Sequence, residues 1–365
     1  MLQKGLKGVV AVETFISHID GENGQLIYRG NEIGALTESY SFEEVAYLLW
    51  FGHLPDSDQL HSLKEQLKQN RNLPIYMKKI IDLLPPELDL MGVIRTAISA
   101  EGGYSEYGWK PTISQAIRLT AITPTIIAYR KRRLEKKEFI SPLYDLDHVE
   151  NYLYMLTGEL PNPAHVKALE TYMILTLEHG MNASTFAARV TASTESDIVS
   201  AVTSAIGTMK GPLHGGAPSG VIELLNRIAL VGDAEKVIRD KLAKGEKLMG
   251  FGHRVYRTHD PRSISLKAKL LELGGQDQWL DLAVKVEETA VKLLEELKPG
   301  RSLYTNVEFY AAAIMKAINM DSELFTPTFT ASRMVGWTAH ILEQAENNTI
   351  FRPQSKYIGT YHTRK

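Results

Sequence analysis

Apolar positions recur at helical spacing along almost the whole chain, and only its first part reads as short strands. The segments GVVAVETFISHI and GQLIYRG flank Asp20-Gly21-Glu22-Asn23-Gly24, a turn-rich stretch that predicts a β-hairpin. Ser41-Phe-Glu-Glu44 opens a helix with a capping-box pattern, in which Ser41 faces Glu44. Further helices are expected over 57–69, 73–82, 88–99, 111–134, 145–157, 163–178, 183–192, 194–209, 218–230, 233–244, 263–273, 278–297, 307–319 and 327–345. Thr194 to Asp197 repeats the capping-box pattern, and Gly211-Pro212 stops the helix that follows. With no internal repeat and no low-complexity linker, the expected class is all-α with a small β element. A second domain would have to be an insertion on short hinges, with Gly215-Gly216 the hinge candidate.

A chain of 365 residues, 44% hydrophobic and 23% charged, can bury a sizeable core in one large domain or two. Lys plus Arg number 41 against 43 Asp plus Glu, so no global field points to nucleic acid or a membrane surface. The basic run Tyr129 to Glu138 sits at a helix end, where it complements the helix dipole as a solvated face. There is no cysteine, which excludes disulfides, thiolate metal sites and cysteine nucleophiles and fits a reducing cytosol. The apolar run at the N-terminus is too short for a signal peptide, and no stretch approaches membrane-spanning length. A cytoplasmic protein is expected.

Five stretches carry candidate chemistry. In MKGPLHGGAP, His214 lies between a helix stop and Pro218, which resembles a first-turn proline. A phosphate cradle there would lack its Gly-Lys-Ser/Thr ending, and an oxyanion loop would lack its G-x-S-x-G partner. The remaining uses are a hydrogen-bonded loop histidine and a neutral imidazole, held so by a helix N-terminus, that donates to a forming enolate. In GFGHRVYRTHDPR, Asp260-Pro261 reads as a helix start, which puts Arg262 in the first turn. A cation opposes the dipole there unless it grips an anion at the same place. Asn306 caps a helix with Glu308 in its first turn. Arg333 lies mid-helix, on one face with Phe329 and Trp337, and an arginine on an apolar face must be paired or bind an anion. His179, in EHGMNAST, stands at a helix end. Histidines are present, but HExxH or comparable metal-ligand spacing is not, so no metal is expected.

Together these stretches resemble citrate synthase, from residue 5 to residue 359. Gly250 to Arg262 fits the family signature position by position, and EHGMNAST, GPLHGG, TNVEF, FTASR and FRP follow in the family's order. The length, and HIDGENGQLIYRG, are similar to the shorter dimeric bacterial form rather than the longer NADH-regulated hexamers. The resemblance implies a large helical domain (1–215 and 321–365) and a small one (216–320) that closes over the substrates. It implies a homodimer, and an acyltransferase that condenses oxaloacetate with acetyl-CoA and water as the first step of the tricarboxylic acid cycle, without metal or other cofactor. Carried over, His214 stabilises the enol, Glu308 removes the methyl proton and His253 protonates the oxaloacetate carbonyl. His179, Arg262, Arg333 and the partner's Arg352 hold the two carboxylates. Ser184 orients His214 with Asn182 beside it, and Arg257, Arg301 and the backbone of Leu248, Gly250 and Gly252 meet CoA. Two departures are Glu308, where many relatives carry aspartate, and Thr176, where short bacterial members often carry histidine. The competing readings are a 2-methylcitrate synthase using propionyl-CoA and a weakly active paralogue kept as a regulator.

Overall fold

The computed structural model describes residues 3–103, 106–215, 217–253, 255–272, 278–301 and 303–361. Among these the chain forms sixteen α-helices and one three-stranded antiparallel sheet, so the expected class holds. The hairpin is shorter than expected. Ser17–Asp20 pairs with Gln25–Tyr28 in the register Ser17 to Tyr28, and Asn31–Glu32 adds a short third strand. Residues 9–14 form no strand. A β-prone run becomes a strand only where a partner edge meets it, and here Val9 and Ala11 line a cleft instead.

Helix starts follow their caps. Ser41 and Glu44 form the expected capping box of Phe42–Phe51. Thr112 with Gln115 does the same for Ile113–Leu134. The expected Thr194 start is wrong: Asp197 accepts from Ser200 N at 2.8 Å and the helix is Ile198–Met209. A carboxylate three residues further on, directly before the apolar face, caps better than a threonine held in the preceding turn. The helix Ile33–Ser39 was not foreseen. Helix 263–273 begins earlier, at Pro261, and residue 273 lies outside the described residues, as does Gly216 of the hinge candidate; Gly215 O accepts from Thr326 Oγ1 at 2.8 Å.

The helix Phe325–Glu346 is the axis of the molecule. It is buried nearly all round and packs on Phe42–Phe51, Ile113–Leu134, Pro163–Thr176, Ala183–Ala192 and Ile198–Met209. A Cβ on Gly336 would overlap Leu177 O and lie 2.7 Å from Glu178 Oε2, so a missing side chain lets the axis touch the segment that carries His179. The helices Ala217–Val231, Ala234–Ala243, Gln278–Leu297 and Val307–Ala317 pack on one another, and Pro261–Glu272 joins them through Val307–Ala317. The basic run is only partly a solvated face. Lys131 and Arg133 pair with Glu135, Asp321 and Asp82, whereas Arg130 and Arg132 are buried and donate to backbone carbonyls. No described helix is long and apolar enough to cross a membrane.

Gly336→Ala tests the close crossing. Overpacking against backbone costs about 1–3 kcal/mol, which outweighs the about 1 kcal/mol that alanine gains in a helix. The urea midpoint should fall; an unchanged or raised midpoint would mean the helices are not in that contact.

Candidate active site

His179, His214, His253, Arg262, Glu308 and Arg333 line one cavity of about 1,050 Å³. Short local devices bring them there. Gly250 and Gly252 take φ of +89° and +81°, which only glycine adopts freely. Their strand-like loop is stitched to 304–306: Gly252 N donates to Tyr304 O at 2.7 Å and Asn306 N to Gly250 O at 3.0 Å. Asn306 Nδ2 donates to Gly252 O at 2.9 Å, while its Oδ1 accepts from Glu308 N at 3.0 Å. One asparagine thus caps Val307–Ala317 and places His253 beside the turn that holds Glu308.

Asp260 is the second organiser. It caps Pro261–Glu272 through Arg262 N at 3.0 Å and accepts from Arg262 Nε at 3.0 Å and Nη2 at 2.9 Å. It also accepts from Val307 N at 3.1 Å, which ties two helix starts to one buried carboxylate. Arg333, 1% exposed, donates Nε to Thr176 O at 2.7 Å and holds its guanidinium 4.7 Å from the Phe329 ring. That carbonyl is an orphan at a helix C-terminus, so the arginine caps the helix that precedes His179. Behind His179, buried Glu178 accepts from Ser17 Oγ at 2.9 Å and lies 3.1 Å from His340 Nε2; His340 Nδ1 accepts from Arg189.

The three imidazoles are neutral near pH 7. Burial pushes His214 and His253 down to about 4, assisted by the charges of Arg333 and Arg262 respectively. His179 is driven well below its usual value by burial and by Arg262. The neutral His214 expected from the sequence is therefore present, with lost hydration its largest cause and Arg333 assisting. Tautomers follow from hydrogen bonds. His253 Nδ1 accepts from Val255 N at 3.0 Å and Tyr256 N at 3.1 Å, so its proton is on Nε2. His214 Nε2 lies 2.8 Å from Ser184 Oγ, which also accepts from Trp337 Nε1 at 3.0 Å and faces Asn182 Oδ1 at 2.8 Å. Ser184 has one proton for two acceptors. When it points to His214, the imidazole carries its own proton on Nδ1.

Glu308 is the only acid that lines the cavity among the described residues, against Lys247, Arg262, Lys298, Arg301 and Arg333. In a chain of net charge −2 this concentrates positive potential where anions would enter. Lost hydration lifts the Glu308 carboxyl to about 7, against the pull of Arg262 and Arg333. A carboxylate poised near neutrality, beside neutral hydrogen-bond donors and buried guanidinium groups, suits proton abstraction next to a carbonyl.

The family model described as "Citrate synthase, C-terminal domain" matches residues 5–354. The chain belongs to the citrate synthase family. Citrate synthase 2 of Bacillus subtilis is 41% identical, covering 98% of this chain and 95% of its own. A 2-methylcitrate synthase of Mycobacterium tuberculosis is also 41% identical, over 98% of this chain and 91% of its own. Among solved structures, the citrate synthase of Thermotoga maritima superposes with a TM-score of 0.89 at 39% identity, over 100% of this chain and 98% of its own. That of Thermoplasma acidophilum, in ternary complex with carboxymethyl coenzyme A and oxaloacetate, superposes with a TM-score of 0.91 at 28% identity, over 100% of this chain and 98% of its own.

Of the remaining residues singled out by the family resemblance, Asn182, Leu248, Gly250, Gly252 and Arg301 also line the cavity, and Ser184 stands behind His214. Arg257 is exposed and is not among the lining residues, and Arg352 is exposed on the tail beyond the last helix. Thr176, the departure from histidine, does not reach the cavity. It is 2% exposed, and its hydroxyl meets Tyr172 O and Ser332 Oγ, each at 2.8 Å. The sequence reading missed the organising roles of Asp260 and Tyr256, the Trp337 bond to Ser184, and Lys247 and Lys298 as lining residues. Asp260 directly before Pro261-Arg262 was a usable signal, because a capping carboxylate two residues from an arginine can also hold its guanidinium.

The raised Glu308 carboxyl has a stability consequence. Below about pH 4.5 the group is protonated in folded and unfolded chains alike. Between 4.5 and about 7 the unfolded chain ionises first, so the wild type loses stability as pH rises. Glu308→Gln should therefore gain relative to wild type across that window, levelling off above pH 7 at roughly 3–4 kcal/mol. Urea titrations at pH 4.5, 6 and 8 measure it; a difference independent of pH would refute the shift.

Proposed function

We propose that this chain condenses oxaloacetate with acetyl-CoA and water to give citrate and free CoA. The observation that carries the reading is one cavity holding a near-neutral carboxylate, neutral imidazoles and two buried guanidinium groups. Glu308 takes a methyl proton from the thioester while His214 donates Nδ1–H to its carbonyl oxygen, giving the enol. The enol carbon attacks the keto carbon of oxaloacetate, and His253 Nε2–H delivers the proton to the oxygen that becomes the hydroxyl. Water then cleaves the citryl thioester and releases CoA. A carbon acid next to a thioester is weak, so the base needs this electrophilic help; one such donor is typically worth about a hundredfold to a thousandfold in rate.

Arg262 and Arg333, with His179 and Arg352 from a partner subunit, hold the oxaloacetate dianion. Each charge-assisted bond is worth about 1.5–3 kcal/mol and orients the keto carbon toward the enol. Arg352 on an exposed tail supports donation to a second copy, and hence a homodimer. Arg257, Arg301 and the backbone at 248–252 serve CoA. Residues 216–320 form the small domain that closes on the large one and keeps water from the enol until condensation is complete. No cofactor takes part, and the site of action is the cytoplasm. Extending Asp to Glu at 308 moves the carboxylate, and misplacement of about 1 Å can cost about a hundredfold. The buried Thr176 carries no such penalty in the cavity.

Propionyl-CoA is the second reading, favoured by relatives of both names at the same 41% identity. One methylene discriminates by only about 1–3 kcal/mol. A purely regulatory binder is disfavoured, because it has no use for a carboxylate held near neutrality.

Thiol release with oxaloacetate, compared for acetyl-CoA and propionyl-CoA as kcat/KM, should favour acetyl-CoA and should disappear in Glu308→Gln while oxaloacetate binding persists. A wild type that releases no thiol from either, or a Gln variant at the wild-type rate, would overturn the reading. Mixing inactive Arg333→Ala and Arg352→Ala chains should restore about a quarter of the sites if the tail arginine acts in trans, by random assortment of independent sites; no recovery in mixed dimers would refute the donation.

A further inference from the structure

The hairpin at the N-terminus touches both sides of the cavity. Its strands hold the segment that carries His179: Tyr28 Oη donates to Glu178 O at 2.6 Å, Ser17 Oγ donates to the Glu178 carboxylate, and Ile19 packs against Gly180. Its turn meets the loop between His253 and Arg262. Arg257 N donates to Gly21 O at 2.8 Å. A Cβ on Gly21 would overlap Val255 O, and one on Gly24 would lie 2.8 Å from His259 O. The two backbones are in contact at both glycines. The turn is itself braced, since the Asp20 carboxylate accepts from Glu22 N and Asn23 N, each at 3.0 Å, and from Asn23 Nδ2 at 2.7 Å.

Tyr256 completes the circuit. It is 2% exposed, its hydroxyl is 3.1 Å from His179 Nε2, and its backbone N–H donates to His253 Nδ1 at 3.1 Å. Its ring lies 4.7 Å from the His253 ring and 5.9 Å from the Arg262 guanidinium carbon. We propose that the turn Asp20–Gly24 is the seat on which the 255–259 loop docks, and that Gly21 and Tyr256 are positioning residues that set His253 and Arg262 against His179 for a short keto dicarboxylate. This rests on the function proposed above. Under the proposed division the seat and the loop belong to different domains, so docking is part of closure.

Gly21 offers a clean test because its φ is outside the left-handed region, so the backbone accepts alanine and the obstacle is Val255 O. Gly21→Ala and Tyr256→Phe are compared with wild type and with Glu22→Ala, an exposed side chain in the same turn. Calorimetric oxaloacetate binding, both KM values, kcat and Tm are measured. Displacing the loop should weaken oxaloacetate binding and raise its KM by about tenfold or more in both variants. The KM for acetyl-CoA should stay near wild type, the Tm should fall by a few degrees at most from the overlap at Gly21, and Glu22→Ala should change nothing. Oxaloacetate binding at the wild-type affinity in either variant would overturn the positioning role. So would a fall in Tm with equal losses for both substrates, which is what a merely structural turn would give. A wild type that binds no oxaloacetate removes the function proposed above and this inference with it, whereas a wild type that binds it and variants that match it sink this inference alone.

Discussion

Two buried guanidinium groups that line one cavity are the constraint on which the site depends. Taking each charge out of water costs several kcal/mol unless other groups compensate. Arg262 is compensated by Asp260: burial alone would lower it, and the paired carboxylate overrides that and holds it in its charged form. Arg333 is compensated less: burial pulls it down, while the charge of Glu178 opposes that. The protein thus maintains a positive field that a doubly negative ligand would complete. Burial keeps three histidines neutral with that field assisting, and the field limits how far burial lifts Glu308. Acid, base and anion site are therefore consequences of one electrostatic arrangement.

Holding like charges together requires rigid supports, and these are made mainly of backbone hydrogen bonds. Asp260 joins Arg262 to the start of the helix that carries Glu308. Asn306 joins that start to the glycine loop before His253. Arg333 is anchored to the end of one helix, and Gly336, one turn further along, lets the two helices meet closely enough for that bond to form. Each support does two tasks, so a change in one displaces groups on two elements at once. Misplacement of about 1 Å is enough to matter for catalysis.

The proton on Ser184 shows how a neutral histidine acquires a direction. Trp337 can only donate to the serine oxygen and Asn182 Oδ1 can only accept from it, so the imidazole shares one hydroxyl proton with a capping asparagine. A donor aimed at a forming enol requires that proton to turn toward His214. The cost is small because Asn182 Oδ1 still accepts from Thr185 N at 3.1 Å.

Much of this was legible in the chain itself. Helical periodicity, the Ser41 cap and the Asp260-Pro261 start are local, because capping and amphipathicity depend on residues three or four apart. Arg333 between Phe329 and Trp337 announced a buried charge for the same reason. The order of the motifs, through their resemblance to a known family, singled out His179, His214, His253, Arg262, Glu308 and Arg333 before any geometry. What no local pattern could supply was which carbonyl Arg333 would cap, that Asp260 would also hold the start of the Glu308 helix, and that a hairpin turn would abut residues 255–259. Those contacts join positions tens to hundreds of residues apart, or depend on a backbone approach that leaves no periodic trace. The residues and their chemistry were written in the sequence. Their protonation states and mutual placement were decided by burial, which exists only once the helices have packed.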